Sequence, residues 1–585
     1  MAGRTGTENF EKLMDFLELA AADITALDDG QLRELVARLA EAELREQGIP
    51  RSSVQAGGAQ EAADGGLDVS VATAGPFERP AFVPRASTGF QVKKHSMSRG
   101  SCTREMLEAG ELKDSIKALT DDRGAYIIVS GKDSCSATMY KERLAGMEEA
   151  LKTHGASGDL HLDFYGADRL ALWLKSHPGV ALWAREKLGK PLAGWRPYGR
   201  WASTPKADKD EFLSDAHPCV IDSSSSDKKL MTVTAGIELA RERLRSGFRA
   251  VRITGLSGVG KTRFAQALFE ENVGDDALPA TDVLYADLGE DLTPSAAAVV
   301  TYLIANKLAS YVVLDNCPPQ THRSLQKQLS ASTAPLRLLT IEYDISDDRP
   351  EETDVIHIEP GSEDTVTTLL LRRYPKLDRF NAARIVEFAG GNARLALALA
   401  DRVEADETLT SFNDEQLFLR LFQQRKGESA DLLRAAMVLS LVYSFNVSRE
   451  ECGDELGVLS AISEVPRADL QRAQAELLRR QLAQKRGSWR AVLPHALANR
   501  LARRALGDYE REDINRELLR SENIRLLQSC AHRLGYFHDD ERARELALTW
   551  VQSGGPLANL ATLGEGHLVA LKYVAPVSYT HLTLP

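Results

Sequence analysis

Residues 249–262 read RAVRITGLSGVGKT, and this stretch decides the central fold of the chain. An apolar strand runs into the pattern G-x-x-x-x-G-K-T between Gly255 and Thr262, and the helical sequence TRFAQALFEE follows. Glycines adopt backbone conformations that other residues resist, so successive N–H groups can point at one phosphate. The N-terminus of the following helix adds partial positive charge. The stretch therefore predicts a phosphate-binding loop between a strand and a helix.

Each part of this loop has an expected role in binding a nucleotide. Lys261 should bridge the β- and γ-phosphates, and the Thr262 hydroxyl should ligate Mg²⁺. We therefore expect ATP or ADP, with Mg²⁺, as the ligand. The residues expected to contact it are Gly255, Ser257, Gly258, Val259, Gly260, Lys261 and Thr262.

A second strand, SYVVLDNC at residues 310–317, ends in Asp315. In P-loop ATPases a carboxylate at this place holds the hydration shell of Mg²⁺. Asn316 follows it, and an amide cannot act as a general base. The sequence thus predicts ATP binding more firmly than hydrolysis, and it leaves the hydrolytic residue unassigned.

Three features further along the chain resemble the STAND ATPases, the signalling class that includes NB-ARC and NACHT proteins. Residues 387–400, EFAGGNARLALALA, are similar to the GLPLAL-type motif of the helical lid. Residues 417–506 have the helix–helix–hairpin texture of a winged helix, and His495 near their end is similar to the MHD position. The resemblance implies that this histidine touches the β-phosphate of ADP in a closed state.

The strand at residues 336–345 has the spacing of a sensor strand, on which Thr340 or Glu342 would face the γ-phosphate. It departs from the plant-type members of the class because it lacks their TTR arginine. Arg337 and Arg349 only lie near that position.

The N-terminal part predicts a separate α/β domain. Residues 9–44 carry helical apolar spacing, and residues 67–73, LDVSVAT, alternate as a half-buried strand. The sequence GFQVKK at residues 89–94 alternates again. Because strand side chains alternate with a period of two, Gln91 and Lys93 share one face.

The order of a helix, DGGLD at residues 64–68 and QVK at residues 91–93 resembles the Mrr-like branch of the PD-(D/E)xK nucleases. Asp68 and the carbonyl oxygen of Val92 would hold Mg²⁺ in an oxygen shell completed by water. The metal would activate a water molecule, and Lys93 would orient that water or neutralise the developing charge.

The acidic residues of this site depart from the commonest pattern. Gln91 replaces the usual acid, as it does in the Mrr-like branch. A helical glutamate often completes such sites, and Glu43 is the first candidate, with Glu41 and Glu61 as alternatives. The competing interpretation is an aspartate in a turn and a lysine on an edge strand, both solvated.

Composition restricts the choice of partners and compartment. With 72 basic and 84 acidic residues the net charge is −12, so any nucleic-acid site must be a local patch. The sequence has no run of about 18 apolar residues that would span a membrane and no CxxC pair, which favours a reducing cytoplasm. Residues 173–201 interleave tryptophans with Arg and Lys; these can stack on nucleic acid, but we favour packing of a linker onto its neighbouring domain.

The C-terminal part reads as pairs of helices from residue 508 onward, which resemble the beginning of a helical repeat array. The last stretch, VSYTHLTLP at residues 577–585, resembles a translated sequencing adapter. We therefore expect the natural chain to continue past Pro576 in another form.

These observations predict a multidomain α/β protein. It combines a restriction-endonuclease-like α/β domain, a P-loop NTPase with a parallel sheet covered by helices on both faces, a winged helix and the start of an α-helical repeat array. The predicted boundaries are 1–200 for the nuclease domain with its tryptophan-rich linker, 201–228 for a linker, 229–405 for the NTPase with its lid, 406–507 for the winged helix, 508–576 for the helical sensor and 577–585 for the adapter-like end.

The domain order resembles the bacterial antiviral STAND ATPases of the Avs type. It implies an ATP-gated, Mg²⁺-dependent DNA endonuclease that opens, forms homo-oligomers and cuts double-stranded DNA when a phage protein binds the C-terminal region. The alternative is a STAND-type regulator whose nuclease-like N-terminal domain only binds DNA.

Overall fold

A computed structural model describes most of the chain and divides it into two compact units. The described residues are 16–56, 67–77, 81–154, 159–199, 201, 212–225, 227–246, 249–342, 354–402, 414–422, 430–480, 482–486, 488–520, 524–537, 539–559 and 563–578. The first unit comprises Met1–Glu211, Ile237–Arg252 and Ala265–Ile341; the second comprises Phe212–Gly236, Ile253–Phe264 and Glu342–Pro585.

Strands and helices alternate through the first two thirds of the chain, and helices dominate the rest. The strands are β1 (Val54–Ala56), β2 (Val69–Ala72), β3 (Ser87–Lys93), β4 (Leu107–Glu108), β5 (Glu111–Leu112), β6 (Ala125–Ser130), β7 (His161–Tyr165), β8 (Trp195–Arg196), β9 (Val220–Asp222), β10 (Leu230–Met231), β11 (Ala250–Thr254), β12 (Val283–Asp287), β13 (Ser310–Asp315), β14 (Leu336–Ile341), β15 (Asp354–Ile358), β16 (Phe445–Asn446), β17 (Ala483–Arg486) and β18 (Trp489–Val492). The helices are α1 (Ala21–Ile24), α2 (Asp29–Glu46), α3 (Arg99–Glu105), α4 (Asp114–Asp121), α5 (Ala137–Thr153), α6 (Ala167–Lys175), α7 (Pro178–Lys187), α8 (Val233–Arg245), α9 (Lys261–Ala267), α10 (Ala296–Ala305), α11 (Pro319–Ser330), α12 (Glu363–Arg373), α13 (Arg379–Ala389), α14 (Ala393–Ala400), α15 (Asp414–Phe422), α16 (Ala430–Ser440), α17 (Arg449–Cys452), α18 (Glu455–Ser463), α19 (Arg467–Arg479), α20 (His495–Asp508), α21 (Arg511–Arg520), α22 (Ile524–Leu534), α23 (Glu541–Val551) and α24 (Glu565–Ser578).

The N-terminal part of the first unit is a five-stranded mixed sheet with the order β1-β2-β3-β6-β7. Strands β1 to β3 are antiparallel, whereas β3, β6 and β7 are parallel. Apolar residues of α2, α6 and α7 cover one face, and those of α3, α4 and α5 cover the other. A capping box between Asp28 and Gln31 begins α2, and Leu32, Val36 and Leu39 turn its apolar face to the sheet.

The remaining strands of the first unit follow the order β14-β13-β12-β8. Strands β12, β13 and β14 are parallel, and the short β8 pairs antiparallel with β12. The tryptophans of the linker pack here: Trp195 donates a hydrogen bond to the carbonyl of Pro294, and Trp201 stacks on Tyr285 with ring centroids 4.9 Å apart. The prediction of a multidomain α/β protein with a parallel sheet is confirmed, and these aromatic rings are buried in packing.

The second unit begins with β9, which pairs antiparallel with both β10 and β15. Further along the chain, helices α16, α18 and α19 accompany a three-stranded sheet with the order β16-β18-β17. The elements there follow the order α16, β16, α17, α18, α19, β17 and β18, and the winged helix stays a prediction. Four helices, α21 to α24, follow α20 and share its apolar core.

Two elements are divided between the units, so the compact units do not coincide with the predicted domain boundaries. Strand β11 and helix α9 each contribute residues to both units. The boundaries at residues 200, 228, 405 and 507 stay predictions. Residues 579–585 of the adapter-like end lie outside the described residues. In the part of the chain that the structure describes, no helix combines the length and apolar character needed to cross a membrane.

A buried carboxyl in the first unit makes stability depend on pH. Asp282 is fully enclosed at the start of β12; burial, with the nearby charges of Glu46 and Glu41, raises its pKa to about 8. A carboxyl whose folded pKa lies above its unfolded value of about 4 stabilises the fold only while protonated. That stability is fully present below about pH 4 and is lost as the pH rises towards 8.

We therefore expect Asp282→Asn to raise the melting temperature at pH 8 by more than it does at pH 5, because the amide stays neutral. Thermal unfolding at the two pH values checks this, with the exposed Asp275→Asn as the matched control. An equal change at both pH values would contradict a protonated Asp282.

Candidate functional site

The glycine loop of the second unit holds its lysine folded back on its own backbone. Lys261 Nζ donates hydrogen bonds to the carbonyl oxygens of Gly255 (2.8 Å) and Leu256 (2.7 Å). Gly255 and Gly258 have φ values of 140° and 89°, which side-chain-bearing residues rarely adopt. A Cβ at Gly258 would lie 2.6 Å from Asn392 Oδ1, so the loop also needs glycine there for space.

Residues of the predicted lid motif contact the loop directly. Asn392 caps α14 and donates from Nδ2 to the carbonyl oxygen of Ser257 at 2.9 Å. Arg394 donates from Nη1 to Ser257 Oγ at 3.1 Å and from Nη2 to the carbonyl oxygen of Ala483 at 3.3 Å. Burial lowers the pKa of Arg394 to about 10. One arginine therefore links the loop, the lid helix and the hairpin strand β17.

His495 begins α20 and is buried beside Tyr443. Its Nε2 lies 3.2 Å from the Tyr443 hydroxyl, and the two rings stack with centroids 4.8 Å apart. Burial and the positive charges of Arg533, His532 and Lys261 hold the pKa of His495 well below its usual value. Burial and these charges thus disfavour the charged form of the histidine at the predicted MHD-like position.

Two acidic residues end neighbouring parallel strands of the first unit. Asp287 of β12 and Asp315 of β13 are register partners. Asp315 accepts hydrogen bonds from the Asn316 amide nitrogen (2.8 Å) and the Tyr285 hydroxyl (3.2 Å). Asn316 has a left-handed φ of 52° and donates from Nδ2 to Asp287 Oδ1 at 2.7 Å. Two carboxylates and one amide therefore meet at the carboxyl ends of these strands.

The polar residues of the predicted sensor strand are buried or have partners within the protein. The Thr340 hydroxyl is buried and lies 2.8 Å from His322 Nδ1 on α11. Burial and two arginines lower the pKa of His322 to about 3, so the pair is neutral. Glu342 is buried in the second unit, and Arg337 donates to the carbonyl of Leu244. Arg349 lies outside the described residues.

The N-terminal domain brings three of its predicted site residues together. Asp68 Oδ2 accepts hydrogen bonds from Gln91 Nε2 (2.9 Å) and the Val92 amide nitrogen (2.7 Å). Its other oxygen, Oδ1, lies 2.9 Å from Arg33 Nε on α2. Asp68 is therefore a buried, paired carboxylate, and the competing interpretation of a solvated turn aspartate does not describe it.

The Val92 carbonyl points to the edge of β3 where Asp68 lies. The Lys93 carbonyl accepts a hydrogen bond from Gly131, directly after β6, at 2.9 Å. Because neighbouring residues of a strand turn their carbonyls to opposite edges, that of Val92 faces β2. The two oxygen donors expected to hold Mg²⁺ thus occupy one edge.

Lys93 lies on the face of β3 that α3 covers. Its Nζ is 3.1 Å from Glu105 Oε1, and Lys113 Nζ is 2.9 Å from the same oxygen. Glu105 ends α3 and had no role in the sequence analysis. It is the nearest carboxylate partner of the predicted catalytic lysine.

Glu43 is not brought to this site. Its oxygens accept hydrogen bonds from the backbone amides of Phe82 and Val83 at 2.9 to 3.2 Å, and burial raises its pKa. It lies ten residues beyond Arg33 on α2, which is about 15 Å along the axis. Glu41 pairs with Arg51 at 3.2 Å. Glu61, Asp64, Gly65 and Gly66 lie outside the described residues.

The residues around Asp68 fit a divalent ion that keeps most of its water molecules better than an ion whose ligands all come from the protein. Among the described residues, no group of three or more His, Cys, Asp or Glu side chains could hold a metal. Two buried acceptors, Gln91 Oε1 and the Tyr126 hydroxyl, have no hydrogen-bond partner in the described part of the chain. Mg²⁺ usually keeps several of its water molecules, and such waters need acceptors of this kind.

Sequence reasoning missed Arg33, Glu105, Tyr126 and Asp287. Asp287 could have been found from the sequence, because it ends the apolar run VLYAD in the same way as Asp315 ends YVVLD. The docking of α2 and α3 onto the sheet brings Arg33 to Asp68 and Glu105 to Lys93, and the pairing of β6 with β3 places Tyr126 near Gln91.

Comparisons with known proteins give weak likenesses only. No family model and no curated protein matches the chain. Solved structures that resemble parts of it include the STAND protein with a tetratricopeptide repeat sensor from Pyrococcus horikoshii, at 13% identity, 58% of each chain and a TM-score of 0.25. Others are C. elegans PCH-2, at 13% identity, 32% of this chain, 65% of that chain and a TM-score of 0.21, and Rhizobiales Trip13, at 12%, 33%, 85% and 0.21. The chain spans 58% of the Pyrococcus protein, and TM-scores this low support no inference about activity.

Proposed function

We propose that this chain is an ATP-gated DNA endonuclease of the STAND class. The observation that supports it most is the contact of the predicted lid with the glycine loop, in which Asn392 and Arg394 both bind Ser257. A glycine loop that is bonded by two residues of the predicted lid has the parts of a closed, nucleotide-sensing state.

The switch follows from what Lys261 contacts. Phosphates of a bound nucleotide would draw its ammonium away from the carbonyls of Gly255 and Leu256. Thr262 and Asp315 are proposed, on their motifs, to hold the accompanying Mg²⁺. A ligand of the helical C-terminal part shifts the balance towards the ATP form only by binding that form more tightly. A phage protein is the proposed ligand, and the cytoplasm is the proposed compartment.

The cutting chemistry is assigned to the N-terminal domain. Asp68 and the Val92 carbonyl would hold a Mg²⁺, which supplies an activated water and stabilises charge on the phosphate. Lys93, kept in place by Glu105, would orient that water or neutralise the charge. Homo-oligomerisation would then bring two such domains to opposite strands of duplex DNA.

The contact between Arg33 and Asp68 favours a second candidate function. Arg33 pairs with Asp68 Oδ1, so a cation already balances that carboxylate. This favours a STAND-type regulator whose N-terminal domain binds DNA without cutting it.

One experiment separates these functions: purified full-length protein is incubated with supercoiled plasmid and Mg²⁺, with and without ATP, and DNA binding is measured in parallel. The proposal expects nicked and linear products. Tight DNA binding without products in every nucleotide condition would favour the regulator.

Hydrolysis of ATP is expected to depend on Asp287. Asn316 cannot remove a proton, whereas Asp287 is the carboxylate that its amide holds beside Asp315. We expect Asp287→Asn to slow hydrolysis about 100-fold or more, the scale of a general base, and to leave nucleotide affinity within a few fold. Phosphate release and binding of a fluorescent ATP analogue measure the two effects, with the exposed Asp291→Asn as control. Unchanged hydrolysis would exclude Asp287 as the base.

A further inference from the structure

The carboxamide of Gln91 has a fixed orientation and an unused oxygen. Its Nε2 donates to Asp68 Oδ2, and turning the amide over would set two oxygens against each other. Its Oε1 must therefore point away from Asp68. That oxygen is buried and has no hydrogen-bond partner among the described residues. A buried acceptor without a donor is costly, so it indicates a missing partner.

A second unused group lies on the same face of the sheet. Tyr126 of β6 is the register partner of Gly89, two residues before Gln91, so its side chain leaves the sheet on the side of Gln91 and Lys93. The ring is completely buried, and its hydroxyl has no partner within the described residues. Burial first, then the negative charges of Glu105 and Asp68, raise the pKa of Tyr126. The hydroxyl therefore lies within the field of both carboxylates.

Glu105 completes this arrangement from α3. Its Oε1 is 3.1 Å from Lys93 Nζ and 2.9 Å from Lys113 Nζ. Two lysines around one carboxylate fix its place over the sheet. The face thus collects an amide oxygen, a hydroxyl and a carboxylate, all of which accept hydrogen bonds.

We propose that Gln91, Tyr126 and Glu105 form a shell of acceptors for the water molecules of a divalent cation that Asp68 binds. The inference rests on the proposed nuclease function and adds Tyr126 and Glu105, which the sequence resemblance did not supply. Water molecules on Mg²⁺ are strong donors, and groups that accept from them orient them and tune affinity. Glu105 here takes the place that the sequence analysis gave to Glu43.

The test measures binding of Mn²⁺, as a probe for Mg²⁺, to the nucleotide-free full chain by electron paramagnetic resonance of the free ion. Tyr126→Phe and Glu105→Gln are expected to weaken binding about ten-fold each, the lower end of the effect of outer-shell partners. The matched controls are Tyr140→Phe, whose hydroxyl bonds Asp163 at 2.7 Å, and the exposed Glu111→Gln. Both controls are expected to bind as the wild type does.

The melting temperature without metal separates this role from a structural one. Removing a buried hydroxyl that has no partner should leave the metal-free Tyr126→Phe protein as stable as the wild type or more stable. A lower melting temperature would show that the hydroxyl has a structural partner and would overturn its place in the shell.

The Asp68→Asn protein distinguishes failure of this inference from failure of the proposed function. If Asp68→Asn loses Mn²⁺ binding while Tyr126→Phe and Glu105→Gln keep it, the acceptor shell is wrong and the metal site stands. If Asp68→Asn binds Mn²⁺ as the wild type does, the proposed cutting site itself is wrong, and the shell falls with it.

Discussion

The Lys261→Ala protein is expected to lose nucleotide binding by about 100-fold or more, a change of about 2.7 kcal/mol or more in binding free energy. The reason is electrostatic: a lysine in a glycine loop supplies the positive charge that meets the phosphates, and backbone N–H groups alone cannot replace it. Titration with a fluorescent ADP analogue measures the loss. The exposed Lys327→Ala provides a matched control that removes the same charge elsewhere.

The fold should tolerate the Lys261→Ala change. The hydrogen bonds that Lys261 Nζ donates to carbonyl oxygens at 2.8 and 2.7 Å stay within its own loop, so their loss should not disturb the packing between helices and strands. A melting temperature close to that of the wild type, together with lost binding, would assign the lysine to the ligand. Retained binding within about three-fold would contradict the assignment of this loop to nucleotide.

The Asp68→Asn protein is expected to lose DNA cleavage on the order of 10,000-fold or more, the scale seen when one member of a catalytic unit is removed. Asparagine keeps the size of the side chain but replaces one acceptor oxygen by a donor. That donor faces either the Gln91 amide and Val92 N–H or the Arg33 guanidinium, and in neither place can it hold a cation.

Plasmid nicking in Mg²⁺ measures the loss, and Asp163→Asn is the control. Asp163 is also a buried carboxylate of this sheet, bonded to Tyr140 and Arg169, but it lies on β7. Cleavage should survive in the Asp163→Asn protein. Equal loss in both variants would point to damage of the domain, and cleavage retained in the Asp68→Asn protein would remove it from the chemistry.

The features that the sequence predicted best are those that depend on residues adjacent along the chain. The loop from Gly255 to Thr262 needs only local spacing, and so does the alternation that puts Gln91 and Lys93 on one face. The strand ending in Asp315 was likewise recognisable from its apolar run. Each of these features depends on consecutive residues, so a single sequence is enough to locate it.

The other contacts of the candidate sites depend on how helices pack on the sheets and on which strands pair. A helical glutamate was expected at the cutting site, but the rotation and depth of α2 bring Arg33 to Asp68 and leave Glu43 about 15 Å further along the helix. The contact of Thr340 with His322 of α11 was not foreseen, and the facing of Thr340 or Glu342 to the γ-phosphate stays a prediction. Asp287 meets Asn316 only because β12 and β13 pair in register. No local pattern reports how far a helix slides or which strands become neighbours.

The central claim is that the nucleotide on the glycine loop controls cutting at Asp68. The most direct test is the initial rate of Mg²⁺-dependent plasmid cleavage by one preparation of the full chain, loaded either with ADP or with a non-hydrolysable ATP analogue. We expect a rate at least about ten-fold higher with the ATP analogue, equivalent to a coupling of about 1.4 kcal/mol. Equal rates in the two nucleotides, with cleavage still dependent on Asp68, would contradict it.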